Sequence, residues 1–353
     1  MKEKRIVAAV TGDGRIVPLE QEIPELEPGA VLVEVFASLV SPGTELGGWH
    51  SLRAAREKTS DAAPRPFGYS NAGRVLKVGA DVTRFKPGDR VACIGAGYAQ
   101  HTNYAVVPHH LCIALPDNVT YAQGSYAMLA ATGLQALRRA APEFGEWTLV
   151  AGLGLVGQLT ARLFQLAGNY VIGWDSIPMR TSLAKRCNAD DAIQIGQGDI
   201  CEQTRSFTGG EGLDTAVVAF GGNADAAMKD IETCMKKSPD GHPMGNVIVV
   251  GGARFTYTSS MTNIDIRRAS RTGPGYHDKN WENGVDYPPV FMRWTTRSNL
   301  ALCMRLIAEG RLNVDALTTH CIPLQDVEAG VNAMLDDPDS ILGVIFVNQE
   351  AGK

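Results

Sequence analysis

Residues 147–175 read WTLVAGLGLVGQLTARLFQLAGNYVIGWD, and this stretch decides how the rest of the chain is read. Thr148 to Ala151 is a short apolar run closed by glycine, the pattern of a strand buried on both faces of a parallel sheet. Gly152, Gly154 and Gly157 follow as GxGxxG: the first permits a tight turn, the second lets a diphosphate approach the backbone, and the third lets the next helix press against the strand. From Leu155 to Leu166 apolar residues recur at helical spacing, so a helix N-terminus, with its free N–H groups and positive dipole end, points at the turn. A second strand, Tyr170 to Trp174, ends in Asp175, 23 residues after Gly152. A carboxylate there accepts hydrogen bonds from ribose hydroxyls.

Strand, glycines, helix, strand and acid in one unit predict a dinucleotide site. Its candidate residues are Gly152, Leu153, Gly154, Leu155, Val156 and Gly157 in the turn, Asp175 and Ser176 after the second strand, and Thr132 in the helical stretch before it. Asp175 favours NAD over NADP, because its charge repels a 2′-phosphate, while Arg180 keeps NADP open. A glycine turn that serves packing alone is the alternative.

The 353 residues suggest two domains, since single cores stop growing at about 250–300 residues. With 44% hydrophobic and 20% charged residues and 38 glycines, the composition is that of a soluble, turn-rich globular protein. The net charge of −5 and the lack of a basic block argue against a nucleic-acid partner. No apolar run is long enough for a signal peptide or a membrane span, so the expected location is the cytoplasm. Seven scattered cysteines, none in CxxC spacing, argue against a structural zinc or a disulfide framework.

The first 120 or so residues are rich in strand signals, at Ile6–Val10, Val31–Phe36, Ala72–Val78, Arg90–Ile94 and Tyr104–Val107. Turn chemistry separates them, and a small antiparallel barrel is expected. His50 to Ala63 has no strand period and reads as a helical or mobile lid or as an ordinary surface insertion. Beyond Asp175, Ser176 is expected to cap a helix over Pro178–Cys187. Strands at Ala192–Ile195, Ala216–Phe220 and Asn246–Val250 and a helix over Ala224–Met235 complete a doubly wound parallel sheet. Cofactor contacts fall where such strands end, which adds Phe220, Gly221, Val250 and Gly251 to the candidates. From Arg271 to Thr295 the chain is irregular and rich in proline and aromatics, a kind of segment that is usually functional. A helix ending near Gly310, another over Ile322–Met334 and a strand over Leu342–Val347 close the chain.

PGDRV at Pro87–Val91, GLGLVG at Gly152–Gly157 and Thr319-His320 ahead of the last strand resemble, in this order, the medium-chain dehydrogenase/reductase superfamily. The resemblance covers nearly the whole chain. It implies an α/β architecture: a GroES-like β-barrel catalytic domain made from residues 1–124 and 296–353, and a Rossmann domain over 125–295, with the active site in the cleft between them. It also favours a homodimer or homotetramer acting on a small-molecule substrate.

Zinc alcohol dehydrogenases of that superfamily hold their metal with a Cys in a C-x-T-D-like turn, a His in a G-H-E motif and a later Cys. Here those regions read Ser41-Pro42-Gly43-Thr44-Glu45, Gly68-Tyr69-Ser70 and Ala127-Met128-Leu129. Without imidazole or thiolate a tetrahedral zinc lacks an adequate set of ligands, so no metal is expected; weak recruitment by His50 and Glu45 is the alternative. SPGTE, GYSNAG and GPGYHD…DYPPVFMRWTTR resemble a zinc-free subgroup, whose dehydrogenase module also occurs fused to a second oxidoreductase domain in proteins linked to sugar or cyclitol metabolism. No such fusion is expected for this chain.

Hydride transfer to a carbonyl leaves negative charge on oxygen, and without a metal, donors and a proton carrier must handle it. The resemblance puts Tyr69 where the superfamily has its histidine ligand and Thr44 where it has a relay hydroxyl. Tyr69 is therefore the candidate proton donor, Thr44 the relay and Glu45 the orienting charge; a packed aromatic is the alternative for Tyr69. His277, as a proton shuttle, and His50, Tyr276, Arg293 and Trp294, as substrate contacts, are the further candidates. The expected function is a zinc-independent NAD(P)-linked oxidoreductase of a secondary alcohol or ketone. An NADPH-dependent quinone or enoyl reductase and a catalytically silent NAD(H)-binding protein are the rivals.

Overall fold

The computed structural model describes residues 4–56, 62–269 and 271–348, which form two compact units: residues 1–131 with 272–353, and residues 132–271.

The second unit is built on six parallel strands in the spatial order Asp191–Gln194, Tyr170–Asp175, Trp147–Ala151, Thr215–Val218, Met244–Val249, Asn263–Arg268. The order reverses between Trp147–Ala151 and Thr215–Val218, so the loops leaving these neighbours diverge and open a crevice at their carboxyl ends. The apolar runs explain the burial. Leu149, Ile172, Val218 and Val247 pack on one face with Trp174, Met228 and Ile231. Val150, Val171, Val217 and Ile248 pack on the other with Phe164 and Ala136. Each large side chain so buried contributes about 1.5–3 kcal/mol. The helix Leu155–Leu166 turns Leu155, Leu159 and Leu163 inward at four-residue spacing and stops at Gly168, whose φ of 90° suits glycine.

Most elements of this unit fall within two residues of the expected positions, but a sixth strand, one helix and the short strand pair Gly222–Asn223 and Ala253–Arg254 were not foreseen. Asn263–Arg268 is the sixth strand, an edge strand in which only Ile264 is buried and Ile266 half-buried. Ile200–Phe207 is a helix, capped by Asp199, which accepts the N–H groups of Cys201 and Glu202. Ser176 caps nothing. The helix Pro178–Cys187 starts from Ile177 without a side-chain cap, and Asp175 Oδ1 accepts the Ile177 N–H at 2.9 Å instead.

The first unit carries a mainly antiparallel sheet in the order Thr318–Pro323, Gly343–Val347, Ala30–Leu39, Ser70–Val78, Arg90–Ile94, Cys112–Ala114, with Tyr104–Pro108 also paired to Ala30–Leu39. A smaller sheet joins Ile16–Glu22, Lys4–Val10 and Arg65–Pro66. The strand Gly343–Val347, from the end of the chain, lies antiparallel against Ala30–Leu39, so this unit is assembled from both ends of the sequence.

Two expectations are corrected here. Residues 272–295 belong to this unit and not to the nucleotide unit. Trp281 is fully buried with its ring 5.0 Å from that of His110, the Tyr276 hydroxyl accepts the Ala96 N–H at 3.0 Å, and Thr272 and Thr296 hydroxyls bond at 2.9 Å. Ile322 lies within the strand Thr318–Pro323, and the helix that follows begins only at Val327. The stretch from His50 is helical at its start, as one of its readings expects: Trp49–Ala55 is a helix, anchored by buried Trp49 and Leu52, while residues 57–61 lie outside the described residues. Among the described residues no helix is long and apolar enough to cross a membrane.

Candidate functional site

In the nucleotide unit the glycine turn leaves the strand Trp147–Ala151 at the sheet's reversal point. Gly152 has φ 93°, its N–H donates to Trp174 O at 2.7 Å, and a Cβ there would stand 3.1 Å from the Phe220 side chain. At Gly157 a Cβ would lie 1.8 Å from Gly152 O, so only glycine lets the helix approach the strand this closely. Gly154 differs: no atom lies within 4 Å of where its Cβ would be, it is the N-cap of a 12-residue helix, and no side chain caps that helix. Uncapped N–H groups behind an open cradle are the geometry that receives a diphosphate.

Asp175 ends the neighbouring strand and is 6% exposed. Its Oδ2 accepts the Leu153 N–H at 2.7 Å, and Arg180 Nη1 stands 3.7 Å from the same oxygen. An ionised carboxylate has about four acceptor positions, so two backbone bonds leave room for ribose hydroxyls. Leu153 itself is turned inward. Its N–H is taken by Asp175, its O accepts Gln158 Nε2, and its fully buried side chain packs against Gly173, so it shapes the loop and offers no donor to a ligand. Leu155 is likewise buried in side chain, and it and Val156 offer the first turn's backbone. Phe220, half-buried, and exposed Gly221 follow the strand Thr215–Val218, and Val250 and Gly251 follow Met244–Val249, all at the carboxyl edge of the sheet. Ser176 is exposed beside Asp175, and Thr132 is half-buried in the helix Ala127–Ala140. These residues fit a dinucleotide. Gly154 and the helix N-terminus would hold its diphosphate and Asp175 its ribose.

In the other unit the centre is Tyr69, 8% exposed. Gly68, with φ 119°, makes its position possible: a Cβ on Gly68 would stand 2.3 Å from His101 N, so glycine alone lets residues 67–69 press against 100–101. Gly95 N–H then holds Tyr69 O at 2.9 Å. The side chains of Ser41 and Thr44 hydrogen-bond the phenol, and Glu45 and Tyr276 stand close enough to act on it electrostatically. Burial, and next the Glu45 charge, push the phenol well above its ordinary pKa against the pull of the two hydroxyls. Tyr69 therefore remains a neutral donor over the working pH range.

Ser41, Thr44 and Glu45 are delivered by the one-turn helix Pro42–Glu45. Glu45 folds back so that Oε2 accepts the Ser41 N–H at 2.7 Å, which leaves the Ser41 hydroxyl free of capping and able to reach Tyr69. The same oxygen stands 3.3 Å from His101 Nε2, with the two side chains 4% and 0% exposed. His101 is held by backbone bonds to Phe67 O and from Ala8, and its ring meets Phe67 and Phe346 edge-on at 4.7 and 5.1 Å. Sequence reasoning missed both Ser41 and His101. Nothing in the stretch AQHTNY singles out a histidine, because its partner is 56 residues away and is reached only through strand pairing.

The structure thus brings Tyr69, Thr44, Glu45 and Tyr276 together and leaves other candidates elsewhere. His50 is spent on a surface ion pair with Asp339 at 3.1 Å. Arg293 lies 4.6 Å over the ring of exposed Trp294, a cation–π contact at the surface. His277 is exposed, with φ 69° and its N–H donated to Glu282, and its ring lies tilted against that of Tyr276 with centroids 4.0 Å apart.

The three zinc positions of the resemblance do not fit a zinc. In the first, Ser41 offers only a hydroxyl turned to the phenol; in the second, the Tyr69 phenol is protonated and Ser70 Oγ donates to Ser125 O at 2.6 Å; in the third, Met128 offers only a thioether. Glu45, the remaining carboxylate, faces His101. Among the described residues no three of His, Cys, Asp and Glu stand together as a metal site.

Residues 27–117 match the family model of the alcohol dehydrogenase GroES-like domain. Sorbitol dehydrogenase of Mus musculus is 27% identical over 92% of this chain and 91% of its own length. The chain belongs to the medium-chain dehydrogenase/reductase superfamily. As such a dehydrogenase/reductase it is an alcohol-dehydrogenase-like oxidoreductase, and its relatives imply a nicotinamide cofactor. Solved structures of the same fold include an Escherichia coli oxidoreductase/dehydrogenase of unknown specificity, with a TM-score of 0.78 and 18% identity over 99% of this chain and 100% of that one. Another is the 2R,3R-butanediol dehydrogenase of Bacillus subtilis, with a TM-score of 0.73 and 19% identity over 97% and 99%.

Proposed function

We propose that this superfamily member is a zinc-independent, NAD-linked dehydrogenase of secondary alcohols of the polyol, sugar or cyclitol type, with the corresponding ketones as products. The observation that carries the reading is the Tyr69 phenol, buried, bonded by Ser41 and Thr44 and facing Glu45, at the position where the resemblance has a metal-binding histidine. The sorbitol dehydrogenase relative supports the alcohol class, and Asp175, which accepts the Leu153 N–H beside the glycine turn, supports NAD.

The bound nicotinamide supplies the hydride chemistry; what the chain supplies is charge handling at the reacting oxygen. In the reduction direction Tyr69 donates a hydrogen bond, then the proton, to the oxygen on which negative charge grows. Thr44, exposed at the edge of the cluster, and Ser41 orient the phenol and refill its proton. In the oxidation direction a phenol held neutral accepts the substrate's proton only as it gives up its own.

The test is turnover of a panel of polyols, sugars, cyclitols, quinones and enones with NAD(H) and NADP(H), in the wild type and in Tyr69→Phe. Oxidation of polyols with NAD, lowered about 10²–10⁴-fold in Tyr69→Phe with NADH binding intact, supports the proposal. NADPH-dependent quinone or enone reduction, NADH binding without any turnover, or stoichiometric zinc by elemental analysis would each replace it.

A further inference from the structure

Two buried polar atoms of the Glu45–His101 pair are left without partners: Glu45 Oε1 and His101 Nδ1. Each costs about 1–3 kcal/mol unless something meets it. Glu45 also forms part of the wall of a cavity of about 420 Å3 whose other walls include Val10, Thr11, Ser51, Leu52 and Arg65. Ser51 and Arg65 are exposed, so the outer end of this cavity reaches solvent. Glu45 thus stands beside the Tyr69 phenol and lines a cavity open to solvent, with its own Oε1 covered in this conformation.

We propose that the Glu45–His101 pair is the proton exit of the site: Glu45 takes the proton that Tyr69 gives up and, by turning its carboxyl toward the cavity, releases it to water there, and His101 is the positioning residue that returns and holds Glu45 beside the phenol. The proposal rests on the reading of Tyr69 as the group that exchanges a proton with the substrate. In alcohol oxidation the substrate O–H bond breaks and a new O–H bond forms at Tyr69 Oη. The phenol's own O–H bond breaks, and its proton passes through the Ser41 or Thr44 hydroxyl to a Glu45 oxygen. The Glu45 O–H bond then breaks to water, so no proton stays on the chain, while the hydride, with its electron pair, goes to the oxidised nicotinamide.

The bonding on Glu45 suits this task. Oε2 is fixed by the Ser41 amide and His101 Nε2, which leaves Oε1 as the oxygen with free lone pairs. His101 in turn is clamped by two aromatic rings, so it can hold the carboxylate without being solvated itself.

The experiment compares wild type, Glu45→Gln and Glu45→Ala in polyol oxidation with NAD, with NADH binding by fluorescence and thermal melting as controls. Glu45→Gln is expected to keep NADH affinity within about twofold and to lose about 100-fold or more in kcat. Glu45→Ala, which joins the cavity to the Tyr69 side, is expected to regain about tenfold or more with added formate, and less with bulkier acetate. His101→Gln, which keeps a donor toward Glu45, should retain far more kcat than His101→Leu, with the alcohol KM alike in both.

Turnover in Glu45→Gln within threefold of wild type, or no response to formate in a Glu45→Ala protein that melts like wild type, overturns the proton exit. Equal kcat in the two His101 variants removes His101 from it. If the wild type oxidises alcohols and Tyr69→Phe is impaired while Glu45→Gln is not, this inference fails and the proposed function stands. If the wild type oxidises no alcohol at all, both fall.

Discussion

The Asp175 carboxylate accepts the backbone N–H of Leu153 at 2.7 Å. The acid that faces the ribose in the proposed complex is therefore also the clamp that shapes the glycine turn. Asp175→Ala strands the Leu153 and Ile177 amides, and the expected outcome is a loss of about 2 kcal/mol in stability without any cofactor present, together with a rise of about tenfold or more in the Kd of NADH. Urea unfolding of the apo protein checks the first part, because a purely ligand-binding acid would leave it unchanged.

Arg180 stands 3.7 Å from the same carboxylate and is 22% exposed. Removing the acid's charge but not the arginine, as in Asp175→Ser, should free the guanidinium for a 2′-phosphate and raise NADPH affinity relative to NADH by about tenfold. Adding Arg180→Ala should abolish the gain. Titrations of both dinucleotides against the two variants decide it, and equal NADPH affinity in the two would remove Arg180 from cofactor choice.

Two glycines of the turn should separate stability from binding. Gly157→Ala drives a Cβ to within 1.8 Å of a carbonyl oxygen and is expected to cost more than about 3 kcal/mol of folding stability. Gly154→Ala meets open space at an ordinary φ of −65°, so it should cost at most about 1 kcal/mol as a poorer helix cap, yet weaken NADH binding tenfold or more by filling the diphosphate cradle. Equal NADH affinity in Gly154→Ala and wild type would place the diphosphate elsewhere.

His110 gives the fold an acid limit. Burial, then the neighbouring His109 and Arg297, push it down from 6.5 to about 4, and Arg297 Nη1 donates to its Nε2 at 3.1 Å, which requires that nitrogen unprotonated. With the folded value depressed, its contribution is present above pH 6.5 and is lost as pH falls toward 4. The expected loss is roughly 2–3 kcal/mol of stability over that window. Urea midpoints of His110→Gln should fall less steeply between pH 7 and pH 4.5 than those of wild type; parallel curves would exclude His110 as the cause.

How much of this was legible in the sequence depended on whether the signal was local. Gly152, Gly154, Gly157 and Asp175 announce themselves because strand, turn, helix and acid lie within one continuous stretch, and the helices Leu155–Leu166 and Pro178–Cys187 fall where periodicity and Pro178 put them. His101 could not be found that way, since what gives it a role is Glu45, brought near by backbone pairing of Ala8, Phe67 and His101. The stretch 272–295 was assigned to the wrong unit because proline and aromatic content marks a segment as irregular without saying which core Trp281 enters. Ser176 has the chemistry of a cap, but Asp175, one residue earlier, reached the Ile177 amide first. Ile322 fits a helical period and is instead taken by the parallel partner Phe346.

The strand Gly343–Val347 has a consequence for how the molecule comes into being. Synthesis delivers residues 132–271 as an unbroken run that already contains every strand of its own sheet, whereas Ala30–Leu39 must wait for a neighbour made some three hundred residues later. Phe346, which steadies the ring of His101, arrives with that neighbour. A nascent chain halted before its final strand would thus carry a finished nucleotide fold beside a proton-handling centre that has not yet been set.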